Sequence, residues 1–252
     1  MGARSAQEIW EAALGELQVQ VTKSYYRTWL GKTTGLSYQD NQFVVRAPNT
    51  FVAEYLDKNQ RSLIEKTLIG LTQPDIKVFF RVSPGEEAAT SPQITRSPCN
   101  LKYTFDSFVV SNSNRLAYAA ALSVAENPGR SYNPLFIYGG VGLGKTHLLY
   151  AIYHVARANN VRALYVSAEQ FTNEFVSAVR EKSTEEFRSK FRSVDMLLID
   201  DIQFISGKEQ TEESFFHTFN ELHNANRQIV ITSDRPPKSL SLLCLLYTSD
   251  AA

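Results

Sequence analysis

The residues best equipped for chemistry lie at 139–146, where the chain reads GGVGLGKT. The spacing fits GxxxxGK[ST], with Gly139, Gly144, Lys145 and Thr146 at the defining positions. A loop of this composition holds the phosphates of a nucleoside triphosphate. Its glycines let backbone N–H groups wrap around the phosphate oxygens, and the helix that follows turns the positive end of its dipole toward them. Lys145 would reach the β and γ oxygens, and Thr146 would coordinate magnesium. The expected nucleotide-binding set is Gly139, Gly140, Val141, Gly142, Leu143, Gly144, Lys145, Thr146 and His147.

A second cluster follows the apolar run from Val194, which ends in adjacent carboxylates, Asp200 and Asp201. Two acids after a strand are often no more than a turn. Beside a phosphate loop they acquire roles: Asp200 would hold the magnesium, directly or through water, and Asp201 would orient or deprotonate the attacking water. A further apolar run ends in Thr232, Ser233 and Asp234, which places polar side chains where the γ-phosphate could be sensed; Asp234 is counted with Asp201 as catalytic. The histidines, His147, His154, His217 and His223, show no HExxH spacing and read as surface or supporting residues rather than metal ligands.

The elements that must position these groups can be read from periodicity. Short apolar runs at 135–138, 163–166, 196–199 and 228–232 alternate with helical stretches, including one at 148–156, as in a parallel sheet built from βαβ units. Ligands bind at the carboxyl ends of such strands. Residues 83–98, SPGEEAATSPQITRSP, carry three prolines and no large apolar cluster, and read as a linker. Ahead of it, Ile9, Trp10, Ala13, Leu14 and Leu17 recur at helical spacing, and a second apolar cluster follows at Tyr25, Tyr26, Trp29 and Leu30. The alternating run from Gln42 to Val45 predicts a strand, Asn49 a cap for a helix carrying Phe51, Val52, Tyr55 and Leu56, and 76–82 a second strand. The expected order in residues 1–82 is helix, helix, strand, helix, strand.

Lysine plus arginine equals aspartate plus glutamate at 26 each, so attraction to nucleic acid or an anionic membrane must come from local patches. Cys99 and Cys244 have no CxxC spacing, which argues against a disulfide framework or a zinc site. The first residues, MGARSAQEIWEAAL, lack the uninterrupted apolar core of a signal peptide, and no stretch approaches the ~20 apolar residues of a membrane span. A cytoplasmic protein without an integral membrane segment is expected.

Taken together, the strings YTFDSFVV from Tyr103, NPLFIYGGVGLGKTHL from Asn133, LIDDIQF from Leu198 and FFHTFN from Phe215 closely resemble the AAA+ domain of the bacterial DnaA family of chromosomal replication initiators. The front module resembles that family's N-terminal domain, a small KH-like α/β unit, in Trp10, Trp29 and the APNTF run ending at Phe51. The resemblance spans residues 7–240. It implies an α/β fold with a KH-like N-terminal interaction and oligomerisation domain at 1–82, a flexible linker at 83–98, and an AAA+ P-loop domain with a parallel sheet at 99–240.

It further implies that the chain binds ATP or ADP with magnesium, hydrolyses ATP slowly, self-assembles on origin DNA, opens the duplex and recruits the replicative helicase; acidic phospholipids are implied as a further partner. The segment 108–114 matches the adenine side, with Val109 and Asn114 as contacts, and 169–192 matches the helical insertion of initiators. Val176 and Lys208 match positions of single-stranded DNA contact, with packing or a solvated surface as the competing reading. Gln210 stands where some relatives have arginine. Trp10 matches a self-association position and Phe51 a helicase contact, with an ordinary core aromatic as the competing reading for both.

Residues 241–252, SLLCLLYTSDAA, depart from the family pattern and read as a foreign tail. The helical lid, its arginine, a trans-acting arginine finger and the helix-turn-helix reader of duplex DNA have no assignable residues. Weaker nucleotide binding, negligible hydrolysis and no specific duplex recognition are expected as a result, because such arginines contribute about 10³ to 10⁵ in rate where they act. An AAA+ helicase loader and a nucleotide-holding adaptor are the alternative functions.

Overall fold

The computed structural model describes residues 5–82 and 102–240. The expected linker and tail, and both cysteines, lie outside them. The described residues divide into two compact units, 5–82 with 158–160, and 102–157 with 161–240.

In the front unit, α1 (Ala6–Gln20) begins at a capping box. Ser5 Oγ accepts the Glu8 N–H at 3.2 Å, and the Glu8 carboxylate accepts the Ser5 N–H at 2.8 Å. Its buried stripe is Ile9, Trp10, Ala13 and Leu17, and Leu14 is half-buried. A short α2 (Lys23–Tyr25) runs directly into a π-helical turn, Tyr26–Leu30. Strands β1 (Thr34–Gln39) and β2 (Gln42–Arg46) form a hairpin whose two-residue loop, Asp40 and Asn41, has φ of 48° and 60°. Positive φ at both positions is the type I′ geometry that suits strand twist, and Asp and Asn tolerate it. Helices α3 (Thr50–Asn59) and α4 (Arg61–Leu71) follow, and β3 (Lys77–Arg81) pairs parallel to β2, giving the order β1-β2-β3. Phe43, Val45 and Val78 point into the core, where α1 packs against β1 and α4.

The expected order therefore missed β1 and α4. In β1, TGLSYQ is half-exposed and interrupted by a register shift between Gly35 and Ser37, so it lacks a clean apolar alternation. Only Gln60, at φ −128° and ψ 0°, separates α3 from α4, so their apolar positions read as one continuous period.

The second unit contains α5 (Arg115–Glu126), β4 (Leu135–Tyr138), α6 (Lys145–Ala158), β5 (Ala163–Ser167), α7 (Ala168–Arg180), α8 (Thr184–Arg192), β6 (Met196–Asp200), α9 (Glu209–Asn224) and β7 (Gln228–Ser233). All neighbouring strands are parallel, in the order β4-β7-β6-β5. Strand alternation divides the core between two faces. Leu197, Ile199, Ile229 and Ile231 meet Phe171, Phe187, Phe191 and Phe215 from α7, α8 and α9. Met196, Leu198, Val230 and Ile137 meet Ala121 and Val124 of α5 and Leu149 and Ile152 of α6. Each such apolar side chain contributes about 1.5–3 kcal/mol relative to exposure, which fixes the register of the strands and hence the heights of their carboxyl ends. No helix among the described residues is long and apolar enough to cross a membrane.

Candidate nucleotide site

The glycine-rich loop joins β4 to α6, as its spacing predicted. Gly142 and Gly144 have φ of +81° and +86°, and a Cβ on Gly144 would lie 2.8 Å from the Phe108 ring. The Gly144 carbonyl accepts the Leu148 N–H at 3.0 Å, so this residue both closes the loop and opens the helix. Lys145 curls back over the loop, donating from Nζ to the carbonyls of Gly139 at 2.9 Å and Gly140 at 3.0 Å. Thr146 and His147 occupy the first turn of α6, and Val141 and Leu143 are exposed on the loop.

Strand β7 lies between β4 and β6. With adjacent strands about 4.8 Å apart, the phosphate loop and the acid pair stand roughly 10 Å apart along one sheet edge, the span of a phosphate group and its cation. Asp200 ends β6 and is only 4% exposed. Both of its carboxylate oxygens are held by hydroxyls: Thr232 donates to Oδ1, and Tyr165 donates to Oδ2 at 3.0 Å. Tyr165 in turn stacks on Tyr150 of α6, with ring centroids 4.5 Å apart. Burial first, then the Asp200 carboxylate and Tyr150, push the Tyr165 phenol far above its ordinary range, so it remains a donor.

Asp201 leaves the strand in a left-handed conformation, φ 55° and ψ 53°, and its N–H donates to Thr232 Oγ1 at 2.9 Å. Its side chain accepts from Gln203 Nε2 at 3.2 Å. The Gln203 carbonyl oxygen accepts from Ser233 Oγ at 3.1 Å and from the Asp234 N–H at 3.4 Å. One glutamine thus joins the two strand ends. Thr232 and Ser233 are fully buried, so of the three polar residues expected to face the γ-phosphate, Asp234 alone is exposed.

The segment before α5 packs on the phosphate loop. His147 Nε2 lies 2.7 Å from the Thr104 carbonyl, and its ring sits 4.9 Å from Tyr103 and 5.1 Å from Phe108. Asn114 Oδ1 accepts the Ser111 N–H at 2.7 Å, and its amide donates to the Val109 carbonyl at 3.0 Å. These bonds shape residues 109–114 into a loop with Val109 83% exposed.

The other histidines depart in part from the surface reading. His154 is buried beside Tyr150 and Tyr153, His217 lies 3.8 Å from Glu213 one turn away, and His223 stacks on Phe219. No group of three or more metal-ligating side chains occurs among the described residues. Val176 is 39% exposed on α7, and Lys208 is exposed immediately before α9.

In the front unit, Trp10 has no exposed surface; its Nε1 donates to Thr33 Oγ1 at 3.1 Å, which donates to the Leu30 carbonyl at 2.6 Å. The indole therefore fills the core rather than presenting a contact. Phe51 is half-buried in the first turn of α3, 5.8 Å from the Trp29 ring.

Residues 99–245 match the family model described as the bacterial DnaA ATPase domain, and residues 7–69 match that of the DnaA N-terminal domain. The chain belongs to the DnaA family. The first match covers more than half of the sequence and reaches past Leu240. Domain III of the Thermotoga maritima replication initiation protein DnaA is 52% identical, with a TM-score of 0.57, over 59% of this chain and 65% of that one. A replication initiator DnaA bound to AMPPCP and single-stranded DNA is 44% identical, TM-score 0.58, over 61% and 48% of the two chains. AMPPCP-bound DnaA from Aquifex aeolicus is 43% identical, TM-score 0.58, over 60% and 50%. The chain thus spans less than two thirds of the length of these DnaA structures.

Sequence reasoning overlooked Tyr165, Tyr150 and Gln203 in this DnaA site. A hydroxyl-bearing residue within the otherwise apolar run ALYV was the available signal for Tyr165. Nothing local marked Gln203, because its reach depends on the left-handed turn at Asp201.

Proposed function

We propose that this chain is a DnaA-type replication initiator that binds ATP with magnesium at the edge formed by β4, β7 and β6, and changes its assembly on DNA with the nucleotide held. The observation that carries this reading is the single sheet edge at which the GGVGLGKT loop, the buried Asp200 and the exposed Asp234 converge. The loop amides and Lys145 bind the phosphates, and Val109 and Asn114 border the adenine.

The donor set fits magnesium, a hard cation that prefers oxygen. Thr146 Oγ1 and the Asp200 carboxylate would hold it, the latter already oriented by two hydroxyls. Magnesium bound there would supply charge neutralisation to the phosphates. Asp201 orients the attacking water, and Asp234 responds to the γ-phosphate. Turnover is slow in this reading, since no arginine is assigned to the γ-phosphate.

The matched DnaA chain bound to AMPPCP and single-stranded DNA supports the same assignment here. Exposed Val176 and Lys208 would contact one strand, and the front unit would mediate self-assembly and helicase recruitment, with Phe51 at its surface. Trp10 would support self-assembly through the core that it fills. The protein would act in the cytoplasm, where the origin lies.

Titration of the purified chain with a fluorescent ATP analogue and magnesium, read by anisotropy, tests the reading. Lys145→Ala removes charge-assisted hydrogen bonds of about 1.5–3 kcal/mol, so affinity should fall roughly 10- to 100-fold. Unchanged retention would overturn it.

A further inference from the structure

We propose that Tyr165 is a positioning residue for magnesium, holding Asp200 in register with Thr146 through a stack on Tyr150; this rests on the nucleotide reading above. Thr146 and Tyr150 are four residues apart on α6, so they share a helix face one turn from each other. The Tyr150 ring, 7% exposed, stacks on Tyr165 of β5 at a 26° interplanar angle. The Tyr165 hydroxyl donates to Asp200 Oδ2 at 3.0 Å. A continuous path of packed rings and one hydrogen bond therefore runs from the helix that carries one proposed metal-side oxygen to the carboxylate that supplies the other.

Strand β5 is the sheet edge beyond β6, on the side away from the phosphate loop, and α6 reaches it only by crossing the sheet face. The aromatic pair closes that gap where a strand-to-strand bond cannot. Thr232 holds the opposite oxygen of Asp200 from β7, so the carboxylate is clamped from both neighbouring strands. Partners that orient a metal-side carboxylate typically change metal affinity 10- to 100-fold when removed. The phosphates provide most of the binding to nucleotide itself, so nucleotide affinity without metal should not depend on Tyr165.

Tyr165→Phe keeps the ring and its stack and deletes only the hydroxyl. In the full chain, fluorescent ATP analogue binding is measured in EDTA and across a magnesium titration. The expected result is unchanged affinity in EDTA and an about 10-fold rise in the magnesium concentration for half-maximal enhancement. Thr232→Val, which removes the other donor to the same carboxylate, should move the midpoint in the same direction and keeps the test open if Tyr165→Phe fails to fold. A parent chain that binds nucleotide with a clear magnesium enhancement, together with an unmoved midpoint in Tyr165→Phe, would overturn this inference and leave the nucleotide reading standing. A parent chain that binds no nucleotide under either condition would overturn both.

Discussion

Alanine placed at Gly140, Gly142 and Gly144 in turn separates three costs within one loop. Gly140 lies outside the left-handed region, and an added Cβ would meet only Leu143 Cδ1 at 3.8 Å, an ordinary contact. Substitution there should be neutral or stabilise by up to ~1 kcal/mol through the unfolded chain. Gly142 has open space but a φ of +81°. The left-handed penalty of about 1–2 kcal/mol, less the same unfolded-state gain, leaves roughly 1 kcal/mol of destabilisation. Gly144 adds a clash to its φ of +86°, with Phe108 Cε2 at 2.8 Å. That ring cannot swing away freely, being stacked on Tyr118 and edge-on to His147. Overpacking of this kind costs about 1–3 kcal/mol, for a total near 2–4 kcal/mol.

Urea unfolding followed by far-UV circular dichroism reads these differences. With a slope of about 1.5 kcal/mol per molar, a 3 kcal/mol loss moves the midpoint of the second unit by about 2 M. The chain's two tryptophans, Trp10 and Trp29, both lie in the front unit, so tryptophan emission supplies an internal control that should not move. A Gly144→Ala midpoint equal to that of Gly140→Ala would refute the account of how residues 103–114 seat on the phosphate loop.

Gln203→Ala deletes the bridge between Asp201 and the end of β7. Single-turnover hydrolysis should slow about ten-fold with nucleotide affinity retained, since the glutamine touches the proposed base and not the phosphates; an equal loss in both would mark it as merely structural. Trp10→Ala should destabilise the front unit by about 3–5 kcal/mol, enough to unfold much of it, read by loss of the native Trp29 emission. Any effect of that variant on self-association therefore counts only where circular dichroism finds the unit folded.

The sequence alone was sufficient for the parts whose physics is local. GGVGLGKT dictates a loop of backbone donors because glycine spacing and a following helix suffice for it, and the four apolar runs of the second unit became its four strands because burial on both faces demands them. Asn49 capped its helix as its type requires, accepting the Val52 N–H at 2.8 Å. Tertiary structure decided which side chains meet. Strand order put β7 between loop and acids, and only that order brings Thr232 to Asp200 and Gln203 to Ser233. Trp10 and Phe51 looked alike as helical aromatics, yet one is sealed in the core and the other reaches the surface. Periodicity reports the face of a helix; whether that face is covered depends on elements distant in the chain, and so do the hydroxyls that clamp a buried carboxylate.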